Sequence, residues 1–276
     1  MIKWHTLRMS RHYRTRVAPI LGAGLLLLLA PACRKQGPPP NPAAPPAPPM
    51  ALRGDGILLG TVKLATLPAA PPPPGPTPES AQRVCGPTVS DNSLQVDRER
   101  GLASALVWVE SPPLPGPERM VPSNTLDQRR CAYLPPLLAA TVGAHLHVRN
   151  SDPLVHNVHA RQTRGTGGGR PVFNFAMPLE NMEVTRVLPM QPGQVDVGCD
   201  VHPWMKSAVM LFDHPFFTVT DAHGRFTLEG LAPGPHVLHV LHLRAGTLSA
   251  PVTVLHGAAP ELALTLPAPT VAPGQK

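Results

Sequence analysis

The chain has 276 residues, 39 of them proline, 4% aromatic content and a formal net charge of +7 with histidines neutral. Proline at that density leaves no room for long helices, which excludes helical bundles and coiled coils. The charge excess is local. Lys3, Arg8, Arg11, Arg14 and Arg16 account for five positive charges with no acidic residue among them, and the remainder of the chain carries +2, so the basic balance implies no nucleic-acid partner.

Residues 1–32 read as an export signal: the basic stretch is followed by the apolar run 18–30, with five leucines at 25–29. That run is too short to span a bilayer, and it ends in small residues, Ala30-Pro31-Ala32, before Cys33. The ending resembles a bacterial lipobox, in which the cysteine is lipidated and becomes the first mature residue. It departs from that pattern in one place, since the leucine expected three residues before the cysteine is displaced by one. An ordinary signal peptide is the alternative. Arg34 follows Cys33 where an aspartate marks inner-membrane retention in some bacteria. The expectation is therefore a lipoprotein on the periplasmic side of the outer membrane, in contact with membrane only through its lipid. Residues 33–53 form a Pro-rich linker, an extended tether.

Beyond the linker, residues 54–104 read as an N-terminal β segment with a Pro-rich insertion, and short apolar runs between turn signals continue to 266. Candidate strands are 57–64, 105–110, 144–149, 155–160, 183–188, 194–198, 208–212, 216–220, 225–229, 236–241 and 250–255. Such runs, patterned on two faces, predict an all-β fold of β-sandwich type. Residues 105–212 and 213–266 are the two candidate domains, and 267–276 a frayed tail. Cys85 and Cys131 have no metal-like neighbours in sequence and, in an oxidising compartment, pair as a disulfide; two unpaired thiols are the alternative.

Chemistry is concentrated in Gly198-Cys199-Asp200-Val201-His202-Pro203-Trp204-Met205. It offers a thiolate, an imidazole and a thioether in a Cys-x2-His-x2-Met spacing on one loop after a strand. Upstream, Asn150-Ser151-Asp152-Pro153 leads into His156-Asn157-Val158-His159, which supplies a second imidazole from another strand. One thiolate, two imidazoles and a weak axial thioether are the donor set of electron-transfer copper sites. His159 lies three residues beyond His156 and faces the opposite way on a strand, which favours His156. His145 and His147 read as an exposed strand face, and His236, His239 and His242 as surface residues.

At these residues the sequence resembles the cupredoxin family, and its ligand loop is most similar to that of amicyanin-like members. The likeness spans roughly 105–212. It implies a Greek-key β-sandwich holding one type 1 copper ion through His156, Cys199, His202 and Met205. It further implies that Asn157 ties the two ligand loops together, that His202 is the ligand nearest the surface, and that Pro203 and Trp204 form an apolar docking patch. Asp200 stands where a small hydroxyl residue is common, and a carboxylate there is expected to lower the reduction potential.

Residues 216–234 continue as a hairpin and turn whose TDxxGxFxLxGLxPG pattern resembles the carboxypeptidase regulatory-like (transthyretin-type) sandwich, and 56–64 and the strand 105–110 resemble the opening strands of the same module. Whether the copper segment is inserted into that module or precedes it stays open. The function expected is single-electron transfer in the bacterial envelope, not catalysis, with a periplasmic dehydrogenase or cytochrome as partner. A non-redox copper chaperone or sink, and a structural or adhesion lipoprotein, are the alternatives.

Overall fold

The structure is a computed structural model, described here for residues 53–67, 75–88, 92–111, 124–164, 167–257 and 261–267. The expected export signal, Cys33 and nearly all of the linker and tail lie outside the described residues.

In chain order the elements are β1 (Arg53–Leu64), α1 (Glu79–Cys85), β2 (Leu106–Val109), β3 (Thr125–Arg129), β4 (Ala132–Leu134), β5 (Leu137–Thr141), β6 (His145–Asn150), β7 (His156–Arg164) and β8 (Gly167–Met177). They continue with β9 (Glu183–Val187), β10 (Gly193–Gly198), β11 (Lys206–Phe212), β12 (Phe217–Val219), β13 (Arg225–Leu231), β14 (Gly234–His242), β15 (Gly246–Val254) and β16 (Leu262–Leu266). The fold is all-β, built as two sandwiches.

In one sandwich, the sheet β13-β1-β16 and the sheet β12-β2-β14-β15 enclose a core that includes Leu58, Val62, Val107, Phe226, Leu238 and Val240. In the other, β4-β3-β6-β9 and β5-β11-β10-β7-β8 close over Leu126, Tyr133, Leu146, Val158, Val197 and Val209. Each strand supplies its core side chains by two-residue alternation, as β6 does with buried Leu146 and Val148 between exposed His145 and His147.

The strands visit the two sandwiches in a nested order. The chain completes β2 in the first sandwich, builds the second from β3 to β11, and returns to the first at β12. The second sandwich is therefore inserted into the first. The strand expected at 105–110, counted with the 105–212 segment, lies in the first sandwich, where Leu106–Val109 pairs with Phe217–Val219 and with the centre of β14. It goes there because it has two apolar faces to bury: Val107 and Val109 enter the first core, while Leu106 packs against Leu137, Ala139, Ala208 and Phe217 at the seam between sandwiches. β11 behaves alike, sending Val209 and Leu211 inward and Ala208 to the seam.

One local feature departs from the residue-level reading, and one turn glycine has a steric reason. His242, expected at the surface, is buried at the end of β14, where its Nδ1 accepts the N–H groups of Arg244 and Ala245 and turns the chain into β15. Gly224 sits at φ +74° in the β12–β13 turn, and a Cβ there would lie 2.3 Å from the Val62 carbonyl oxygen. Only glycine fits that approach.

Candidate metal centre

The register of the second sandwich builds the site. β7 and β10 run antiparallel with His159 opposite Gly198, and β10 pairs with β11 through Gly198 opposite Lys206. The start of β7 is thereby brought beside the loop that joins β10 to β11. His156 is the first residue of β7; Cys199, His202 and Met205 lie on the loop.

All four side chains are buried, with His156 0%, Met205 1%, Cys199 3% and His202 7% exposed. The Nδ1 atoms of His156 and His202 are 2.9 Å apart, and Cys199 Sγ is 3.8 Å from His202 Nδ1. A donor atom from each of the three falls within 4.8 Å of the other two. The loop is closed by its own backbone. Met205 N–H donates to the His202 carbonyl at 2.9 Å, Cys199 N–H reaches the Met205 carbonyl at 3.4 Å, and His202 N–H points at Cys199 Sγ at 3.4 Å. Met205 is buried at the end of that ring, within the core of the second sandwich.

Behind His156 stands a residue that the sequence reading assigned no role. Asp152 is buried, and its Oδ2 lies 2.9 Å from His156 Nε2 while also accepting the Cys131 N–H at 2.8 Å. Its Oδ1 accepts the Arg130 N–H at 2.7 Å. Burial alone would raise the Asp152 pKa, but His156 and the two amides outweigh it and hold the carboxyl below its usual value. An ionised carboxylate can only accept, so His156 donates from Nε2 and its Nδ1 is left to face Cys199 and His202. The signal was legible in part: an aspartate four residues before the histidine in the Asn-x-Asp-Pro lead.

Asn157 spans the two ligand segments. Its Oδ1 accepts the Asp200 N–H at 2.6 Å, and its Nδ2 donates to Asp200 Oδ2 and to Asn174 Oδ1, both at 2.9 Å. Asp200 is largely exposed and also takes hydrogen bonds from Asn174 and His159. These bonds, His159 first, keep its carboxyl below the ordinary range. His159 thus faces away from the donor cluster, as its offset from His156 requires. Tyr133, buried beneath, donates from its hydroxyl to the Asn157 carbonyl at 2.6 Å, with the Gly198 carbonyl at 3.2 Å.

Trp204 packs at a tilt against the His202 ring, 5.1 Å between centroids, and donates its indole N–H to the Cys131 carbonyl, while Pro203 is exposed. Cys85 and Cys131 form a disulfide, and Cys199 is a buried free thiol. The disulfide is not remote from the site: both sulfurs lie within 4.8 Å of a His202 ring nitrogen.

Electrostatics prepare the thiol for a cation. Burial opposes ionisation of Cys199, but His156, His202 and the backbone amides of Asn157 and His202 bring its pKa down to about 5. A thiolate with two imidazole nitrogens is a soft-to-borderline donor set. It suits copper or zinc and is foreign to magnesium or calcium, which take oxygen. The buried thioether at the end of the same loop is a donor that copper accepts and zinc sites do not ordinarily use.

No family model matches this chain, and no curated protein matches it. Among solved structures, a reduced amicyanin variant is similar at 23% identity over 33% of this chain and 83% of that one, with a TM-score of 0.28. A purple cupredoxin from Nitrosopumilus maritimus is similar at 20% identity over 32% of this chain and 98% of that one, with a TM-score of 0.27. A second reduced amicyanin variant is similar at 23% identity over 38% and 98%, with a TM-score of 0.28.

Proposed function

We propose that this protein is a single-electron carrier that holds one type 1 copper ion through His156, Cys199, His202 and Met205. The observation that carries the reading is the buried convergence of three donors: the Nδ1 atoms of His156 and His202 are 2.9 Å apart, and Cys199 Sγ is 3.8 Å from His202 Nδ1. Copper, when bound, supplies a one-electron couple whose two oxidation states prefer different geometries.

The protein's part is to keep the donors still. His156 is fixed by Asp152, Asn157 by Asp200, and the 199–205 loop by its own amides. Side chains so held do not move with the charge, which keeps the reorganisation energy small. Four protein donors leave no open position for a substrate, so we read a carrier and not a catalyst. Burial of all four also weighs against an exchange-prone chaperone or sink. Val201 and Pro203 are exposed beside the buried His202 and form the apolar surface on which a redox partner would dock. The sequence supports an envelope lipoprotein anchored through Cys33 and served by a periplasmic dehydrogenase or cytochrome.

The test is an absorption spectrum of the purified chain after Cu(II) addition. An intense visible thiolate-to-copper band, lost in Cys199→Ala, is expected. Its absence in metal-replete, oxidised protein would overturn the reading.

A further inference from the structure

Three cysteine sulfurs surround one imidazole. Cys199 supplies one of them; the other two, Cys85 and Cys131, are joined as a disulfide whose sulfurs lie within 4.8 Å of a His202 nitrogen. All are buried, Cys85 at 6%, Cys131 at 2% and His202 at 7% exposed. A disulfide that served only to staple the short helix α1 to the sandwich could close anywhere along that contact. This one closes against a side chain of the metal centre.

We infer that reduction of the Cys85–Cys131 bond creates a second soft-metal site, made of Cys85, Cys131 and His202, which takes Cu(I). The inference shares His202 with the proposed carrier site and rests on that reading for the identity of the ion.

The sulfur positions are held by more than the bond between them. Cys131 lies in the β3–β4 turn at φ +56°, with its N–H on Asp152 Oδ2 and its carbonyl on the Trp204 indole. Cys85 ends α1, where it and Ala81 are buried in the core of the second sandwich, with Val84 packed against it. Two thiols and an imidazole so placed form a soft donor set that Cu(I) accepts, and copper is the ion of the carrier site with which it shares His202.

The chemistry balances with one co-reactant, an external dithiol. It delivers two electrons and two protons, the Cys85–Cys131 S–S bond breaks to give two thiols, and the dithiol leaves as its own disulfide. Binding of Cu(I) then releases the two thiol protons to solvent.

The experiment uses the whole chain carrying Cys199→Ala, which removes the carrier site. Cu(I) is titrated against a chromophoric Cu(I) chelator, with the disulfide intact and after reduction by a dithiol that is then removed. The intact form is expected to take none from the chelator and the reduced form to take one equivalent, with sulfur and nitrogen neighbours by X-ray absorption. Adding His202→Gln should weaken that capture about tenfold or more. Equal capture by both forms, or capture indifferent to His202→Gln, would overturn the inference. The unsubstituted chain is a second arm: its Cu(I) affinity should rise on reduction, and an unchanged affinity counts against the second site. A missing visible band alongside dithiol-dependent Cu(I) capture would sink the carrier reading and leave this site standing; the reverse pattern would do the opposite.

Discussion

Asp152 Oδ2 lies 2.9 Å from His156 Nε2, with both side chains buried, and the same oxygen accepts the backbone N–H of Cys131. One carboxylate therefore sets the tautomer of a candidate metal-site histidine and fixes the disulfide-bearing turn. It also places a full negative charge, poorly screened by solvent, one imidazole away from the donor atoms.

That charge should favour the higher oxidation state of a bound ion. Asp152→Asn is expected to raise the reduction potential, measured by spectroelectrochemistry, and to cost about 1–3 kcal/mol in denaturant unfolding because buried amide and imidazole donors lose their ionised acceptor. A potential equal to that of the unsubstituted protein would show that the carboxylate positions the ring without tuning it.

Asp200 offers a contrast within the same structure. Its side chain is 57% exposed and already shared among Asn157, Asn174 and His159. Solvent screens it. Asp200→Thr is expected to raise the potential, as the sequence suggests, but by less than Asp152→Asn does. An unchanged or lower potential in the threonine variant would remove Asp200 from the tuning; a rise larger than that of Asp152→Asn would reverse the ranking by burial.

How far the sequence revealed this arrangement depended on whether the signal was local. The loop 199–205 and the lead into His156 are continuous segments in which residue type and spacing carry the chemistry, so candidate donors could be named from them. Strands with clean alternation, such as β6 and β10, were equally readable. β5 was missed because Leu137–Ala140 is buried on both faces and shows no alternation, β3 because Asp127 and Gln128 make it look like a loop, and β8 because it opens in glycines and contains Pro171. The contacts of Tyr133 and the disulfide with the site arise from strand pairing across tens of residues. No local pattern encodes them, which is why His202 was legible as a candidate donor and its sulfur neighbours were not.

Tyr133 tests the floor of the site. Its hydroxyl is the buried donor to the Asn157 carbonyl, next to the Gly198 carbonyl, so it links the two ligand strands without touching the donor atoms. Tyr133→Phe should lower unfolding stability by about 1–3 kcal/mol through an unsatisfied buried acceptor. The visible band of the copper-loaded protein should keep its position. A displaced band would mean that Tyr133 shapes the donor geometry itself.

The lowered pKa of Cys199 gives a pH dependence with a definite sign. Its folded value is about 5, against 9.0 for the free thiol, because the facing imidazoles and the Asn157 and His202 amides outweigh burial. Between those values the unfolded chain holds a proton that the folded chain lacks, so this group adds stability as pH rises and loses it as pH falls through about 5. His156 works in the opposite sense. Its folded pKa is raised, against the effect of burial, by Asp152 and Cys199, so its contribution is present below the unfolded value and lost as pH rises through the folded one. Replacing Cys199 with serine removes the thiol and, with it, the part of the His156 shift that Cys199 causes. In metal-free protein, the stability advantage of the cysteine form over Cys199→Ser is expected to grow with pH across that window, at a slope of up to about 1.4 kcal/mol per pH unit for one proton. The ultraviolet thiolate absorbance should appear with a midpoint of about 5. An advantage independent of pH, with the absorbance rising only near the free-thiol value, would mean that the imidazoles and amides do not stabilise the thiolate before a metal arrives.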